Sequence, residues 1–338
     1  IVTDAAIEWL SRMHAAGDVE GVLGVGGAGG SLMITDVMRS LPFGVPKFMV
    51  SSNAAAPGFS SRYFGTKDIT MMHTVADIAG VNDMLATLLR QAAAAICAMA
   101  KEAAAPTPSE GRSRRGPSVA LCELMLSAEN VRHIRTQLEK RGFQVTVFMA
   151  TGVGDTAMEE AIDQGLFDAV IDLSPGGIID SIVGGTRAAC PQRLETAGRK
   201  GIPQIVAPGG LEFIAPPRSK YGGDYAERKA FEPDKLRRLL RSSHAELTAA
   251  ARVIADKLNR ARGPVALIVP LHGWSRIDGP GKPLHDPDAV RAFLDEMRAR
   301  LRPTVTIVEF DGWIEEQSFG RRIADMAADF LAGHPKTV

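Results

Sequence analysis

Between Glu20 and Met38 the chain reads EGVLGVGGAGGSLMITDVM, and Gly26, Gly27, Ala28, Gly29, Gly30 and Ser31 have the types and spacing to hold an anion. An apolar run, Val22-Leu23-Gly24-Val25, precedes them, and apolar residues at helical spacing follow (Leu32, Met33, Val37, Met38). Strand, glycine turn and helix together place unpaired N–H groups and the positive end of a macrodipole where a phosphate or carboxylate can reach them. No Lys-Ser/Thr follows the glycines, so this is not the Walker loop, and G-x-G-x-x-G fits Gly24, Gly26 and Gly29 only loosely. The same turn also serves simple close packing of helix on strand.

Other candidates are more scattered. Ser51, Ser52 and Asn53 end a strand over Pro46–Val50, where an open α/β sheet places ligands, though turn chemistry explains them equally. Thr66 and Asp68 sit in a polar loop; Asp68 suits a ribose hydroxyl or a magnesium ion, or caps the following helix. Thr151, Gly152 and Gly154 form a second strand-to-helix glycine turn, a weaker copy of the first. For proton transfer the candidates are His272, directly after a strand, and Asp68. There is no G-x-S-x-G, H-E-x-x-H or C-x-x-C, and no metal site is expected.

These residues need a scaffold, and 338 of them are enough for two domains. Equal numbers of basic and acidic residues, 39 each, leave no charge surplus for nucleic acid or an anionic membrane, so neither partner is expected. Cys97, Cys122 and Cys190, odd in number and far apart, form no disulfide framework. The alanine-rich run Gln91–Met99 is too short to span a bilayer, no signal peptide pattern is visible, and a cytoplasmic location is expected. The alanine face of a helix over 83–102 allows close helix contact, as in a homo-oligomer.

The order of elements predicts the fold class: α/β, two doubly wound, Rossmann-like parallel-sheet domains with a cleft between them. The first spans 1–105. Residues 106–117, rich in Pro, Gly and Ser and carrying Arg112, Arg114 and Arg115, read as a linker. The second spans 118–338, with strands over 119–122, 145–149, 169–173, 203–206, 265–270 and 305–310 and long helices over 233–261, 287–300 and 318–331. The first domain opens on a helix, Asp4–Ala16, rather than a strand.

Five stretches, GVLGVGGAGGS (Gly21 to Ser31), RSLPFGVPKFMVS (Arg39 to Ser51), GTKDITMMHTVADIAGVN (Gly65 to Asn82), FMATGVGDTAMEE (Phe148 to Glu160) and GPVALIVPLHGWSRIDGPGKPLHDP (Gly263 to Pro287), occur in order along the chain. On these stretches the chain resembles the tobamovirus resistance-protein family, plant inhibitors of tobamovirus RNA replication and their bacterial relatives. The resemblance implies an ATP-binding domain, with magnesium where the nucleotide needs it, and a further strand–turn–helix segment ahead of Ile1. Three turns depart from the family's pattern: Glu123–Ala128, Ser174–Gly177 and Lys229–Pro233. What the second domain binds is therefore open. A nucleotide-binding protein with phosphates on Gly26–Ser31, a metabolic enzyme acting on a small phosphorylated or carboxylated substrate, and an interaction module stabilised by nucleotide are the three functional expectations.

Overall fold

A computed structural model describes residues 1–105 and 116–333. Arg112, Arg114, Arg115, most of the expected linker and His334 lie outside the described residues. The chain divides into two compact units, 1–113 and 114–338.

The first unit runs α1 (Val2–Ala15), β1 (Val22–Gly26), α2 (Ala28–Met38), β2 (Lys47–Ser51), α3 (Ser60–Phe64), β3 (Thr70–His73) and α4 (Asp83–Ala104). The three strands are parallel, in the order β1-β2-β3, with Gly26 opposite Ser51 and Ser51 opposite His73. Successive side chains of β2 point to opposite faces. Met49 packs with Met38 and Ile34 of α2, while Phe48 and Val50 pack with Leu89, Ala92 and Ile96 of α4. All five β2 residues are buried, as expected of a parallel sheet covered on both sides. α4 is long and apolar enough by length and composition to cross a membrane, which corrects the reading of its alanine run as too short. One side of it packs on the sheet.

The second unit contains β4 (Ser118–Glu123), α5 (Ala128–Glu139), β5 (Gln144–Met149), α6 (Val153–Asp163), β6 (Ala169–Asp172), α7 (Gly177–Val183), α8 (Thr196–Lys200), β7 (Gln204–Val206), β8 (Phe213–Ile214), β9 (Ala230–Phe231), β10 (Leu239–Arg241), α9 (His244–Leu258), β11 (Val265–Pro270), α10 (Pro287–Arg300), β12 (Val305–Phe310) and α11 (Gln317–Gly333). Six strands form one parallel sheet, ordered β5-β4-β6-β7-β11-β12. The chain starts this sheet in its interior at β4, goes out to β5, then crosses back to β6. The order therefore reverses between β4 and β6, the point at which crevices open at the strand C-termini. β11 is buried along its whole length: Val265, Leu267 and Val269 face α9 and α10, and Ala266 and Ile268 face the α11 side.

One expected element is wrong. The helix read over 233–261 begins only at His244, and the residues before it supply β10, the centre of a small antiparallel sheet ordered β8-β10-β9. Leu236, Leu239 and Leu240 have helical spacing, but Leu240 pairs with Ile214 and Ala230 instead. The true start carried a signal: Ser243 accepts from the Glu246 N–H (3.2 Å), and the Glu246 carboxylate accepts from the Ser243 N–H (2.7 Å).

Candidate functional site

In the first unit the glycine turn lies at the C-terminal edge of the sheet. Gly27 is the N-cap of α2 in extended conformation (φ −82°), and no side chain caps the helix. The Ser31 N–H already donates to Gly27 O (2.8 Å), so the donors left for a ligand belong to Ala28, Gly29 and Gly30. A Cβ added at Gly29 or Gly30 would meet nothing within 4 Å, whereas one at Gly26 would lie 3.1 Å from the Gly30 Cα. Gly26 thus serves close packing, while Gly29 and Gly30 border open space. None of the four glycines has a positive φ.

Of the hydroxyls expected here, two are already engaged. The Ser31 and Ser51 side chains are fully buried, with their oxygens 2.6 Å apart, and Ser51 Oγ also accepts from the Asn53 N–H (3.1 Å). They pin α2 to β2 rather than face a ligand. Ser52 remains at the edge; its Oγ stands 3.6 Å from where a Gly27 Cβ would be and donates to Asp77 Oδ1 (3.2 Å). Beside it the segment after β3 holds Val75 at φ 64°, an outlier for a β-branched residue and a mark of local strain. His73, opposite Ser51, ends at this same edge, and sequence reasoning passed it over.

Asp68 and Thr66 do not join the turn, a correction to the expectation that they share its ligand. They enter β3 from its N-terminal end. Asp68 Oδ1 accepts from the buried Lys47 Nζ (2.8 Å) and Oδ2 from the Gly44 N–H (2.9 Å). Lys47 begins β2 and Ser51 ends it, so four residues, roughly 13 Å at 3.3 Å each, separate Asp68's partner from the glycine edge. Burial draws the Lys47 pKa below its ordinary value, with the Asp68 carboxylate opposing.

In the second unit Thr151 and Gly152 precede α6, with Gly152 at φ 91°. Here the helix supplies its own anion: the Gly152 N–H donates to Asp155 Oδ1 (2.7 Å). A Cβ at Gly154 would fall 2.3 Å from Met149 O, so that glycine lets α6 rest on β5. The Ser174–Gly177 turn is buried, with Gly176 pressed on Gly210, where a Cβ would lie 2.3 Å from the carbonyl oxygen; it faces protein. His272 sits beyond β11 with its side chain half exposed, 3.3 Å from Asp311. It is on the β12 side of the sheet, away from Thr151 on the β5 side.

What the structure adds is a cavity of about 460 Å³ at the β4–β5 end, walled by Leu124, Met125, Thr151, Arg187, Phe213 and Tyr221 among others. Met125 has φ 61°, a second strained non-glycine residue at a sheet edge. Arg187 is 8% exposed; its Nε donates to Asp180 (3.0 Å), its Nη2 to Phe213 O (3.0 Å), and its guanidinium lies 4.1 Å from the Phe213 ring centre. Behind it Glu212 and Asp278 are fully buried, and burial pushes both carboxyls above their ordinary range, with Arg241 opposing. Nothing in the one-dimensional pattern singled out Arg187, while Met125 lay in the Glu123–Ala128 turn noted only as a departure from the family's pattern. Among the described residues no three of His, Cys, Asp and Glu converge as a metal site would require.

Both units match one family along nearly the whole chain. Residues 1–105 match the N-terminal domain, and 116–331 the C-terminal domain, of the uncharacterised protein family UPF0261. A UPF0261 protein of Clostridium tetani is 33% identical over 93% of this chain and 77% of its own length. One from Brucella suis is 32% identical over 95% and 76%. The ToMV resistance protein Tm-1(GCR237) of Solanum lycopersicum is 29% identical over all of this chain, which spans 44% of the tomato protein. The chain therefore belongs to the UPF0261 family, and the tomato Tm-1 proteins are its homologues.

Proposed function

We propose that the protein binds a nucleotide, ATP being what the family resemblance implies, with phosphate oxygens on the Ala28, Gly29 and Gly30 amides. One observation carries the reading: an uncapped helix N-terminus opens on free space at the C-terminal edge of a parallel sheet, where two side-chain-free residues let an anion reach the backbone. Ser52 stands beside it for further polar contact. The competing reading, an enzyme using Asp68 or His272 for proton transfer, loses support. Asp68 is tied to Lys47 at the opposite end of its sheet, and His272 stands at an exposed rim beside Asp311.

Gly29 gives the test. Because its φ is not positive and its Cβ position is empty, Gly29→Ala removes backbone freedom without strain and stabilises the free protein by about 0.5–1 kcal/mol. The same methyl, and more so the isopropyl group of Gly29→Val, stands where the phosphate would approach. The expected result is an unchanged or higher melting temperature together with ATP affinity lowered at least tenfold in calorimetric titration. A Gly29→Val protein that melts normally and binds ATP as the wild type does would refute the reading.

A further inference from the structure

The cavity beside Arg187 has a charge pattern that the nucleotide reading does not use. Four arginines line it, Arg187, Arg218, Arg237 and Arg238, and no aspartate or glutamate does. Three of the four have a carboxylate partner: Asp180 at 3.0 Å from Arg187, Asp234 at 2.6 Å from Arg237 and Glu232 at 3.7 Å from Arg238. Among the described residues Arg218 has only a carbonyl, Lys235 O, 2.6 Å from its Nη2. The arrangement therefore has one positive charge in surplus. One buried donor also goes unused, since Arg187 Nη1 has no hydrogen-bond partner among the described residues. Folded proteins rarely leave such groups unpaired, and a bound oxyanion supplies acceptors. Apart from Thr151 and Thr186 the rest of the wall is apolar or aromatic, with Phe213, Tyr221 and Leu236 prominent, and a volume near 460 Å³ is that of a small-molecule site. Its rim includes Met125, held in the left-handed region on the loop after β4, at the reversal of strand order where doubly wound sheets place ligands.

We propose that this cavity binds a small organic molecule carrying one oxyanion head, a carboxylate or a phosphate monoester, on an apolar body. The arginines take the head, and Phe213, Tyr221 and Leu236 cover the body. The site lies wholly in the second unit and is independent of the α2 turn.

Calorimetric titration of the whole chain tests it with phenyl phosphate and 4-phenylbutanoate, each against its counterpart without the body, inorganic phosphate and acetate. At least one aryl anion should bind tenfold or more tightly than its counterpart, and which one does identifies the head group. Arg218 and Arg237 are exposed, so the double variant Arg218→Gln/Arg237→Gln should keep the wild-type melting temperature and lose tenfold or more in affinity. Leu236→Glu, at a position 73% exposed, places a carboxylate at the mouth and should weaken binding similarly without touching an arginine. Gly29→Val should leave this binding unchanged, which separates it from the nucleotide site. The proposal is overturned if neither aryl anion outbinds its counterpart, or if both variants bind as the wild type does.

Discussion

Arg193 is fully buried in the second unit among three carboxyl groups. It meets Asp172 through two nitrogens, at 2.7 and 2.8 Å, and lies 3.5 Å from Asp155 and 4.0 Å from Glu159. Burial pushes the Asp172 pKa up to about 6 and raises that of Glu159, with Arg193 opposing in both cases. Arg193→Met would strand three acids in the interior and should cost about 3–5 kcal/mol, the usual result of removing one partner from a buried pair. The pH dependence follows from the direction of these shifts. A carboxyl raised in the folded state favours folding most below its unfolded pKa, near 4, and that contribution is lost as pH rises through the folded value. Without Arg193 the folded values climb further, so these groups should go on costing the variant stability above pH 6, where the Asp172 contribution in the wild type is already lost. Urea midpoints for both proteins at pH 5 and pH 8 check this: the deficit should be larger at pH 8. An equal deficit at both would mean that Arg193 acts by packing alone.

At the scale of elements, the two glycine turns look alike in sequence and differ in structure. Both follow a parallel strand and open a helix. Before α6, however, Asp155 reaches back to the Gly152 amide, and Gly154 is held against Met149 O, so the turn is closed by its own chain. Before α2 no side chain plays that part. Gly154→Ala should therefore push α6 away from β5 at a cost of about 1–3 kcal/mol, the range for overpacking, whereas Gly29→Ala should raise the melting temperature slightly. Thermal melts of the two variants side by side measure the contrast. If Gly154→Ala melts as the wild type does, contact between α6 and β5 is looser than the geometry requires.

For the whole molecule, the relevant fact is that the buried clusters on the second unit's main sheet are built from that unit's own residues. Both faces of the six-stranded sheet are covered by helices from 128 onward, and the buried clusters on them draw only on residues from 119 to 331. A fragment spanning 116–338 should therefore fold alone, with a single cooperative thermal transition and a dispersed amide NMR spectrum. It should also retain the binding proposed for the Arg187 cavity. A fragment that melts without cooperativity would show that the first unit supplies part of its stability.

Local patterning determined the class and order of the main elements. Apolar runs such as Val265–Pro270 and periodic stretches such as Pro287–Arg300 carry their own secondary structure, because each satisfies its backbone and buries its apolar side in only one regular way. The glycine turn after β1 was legible for the same reason: strand, turn and helix are adjacent in the chain. Three-dimensional pairing decided the rest. Leu239 and Leu240 read as helix until Phe213-Ile214 and Ala230-Phe231 offered strands to pair with. Asp68 looked like a ligand until parallel register put it beside Lys47 at the far end of the sheet. Ser31 and Ser51 looked available until they met each other across 20 residues of sequence. Arg187, Phe213 and Met125 converge on one cavity only because the reversal of strand order between β4 and β6 brings distant loops to a common edge. Residue type and spacing fix what a local segment can do. Which distant segments meet depends on closing long loops around a shared core, and no short-range pattern encodes that.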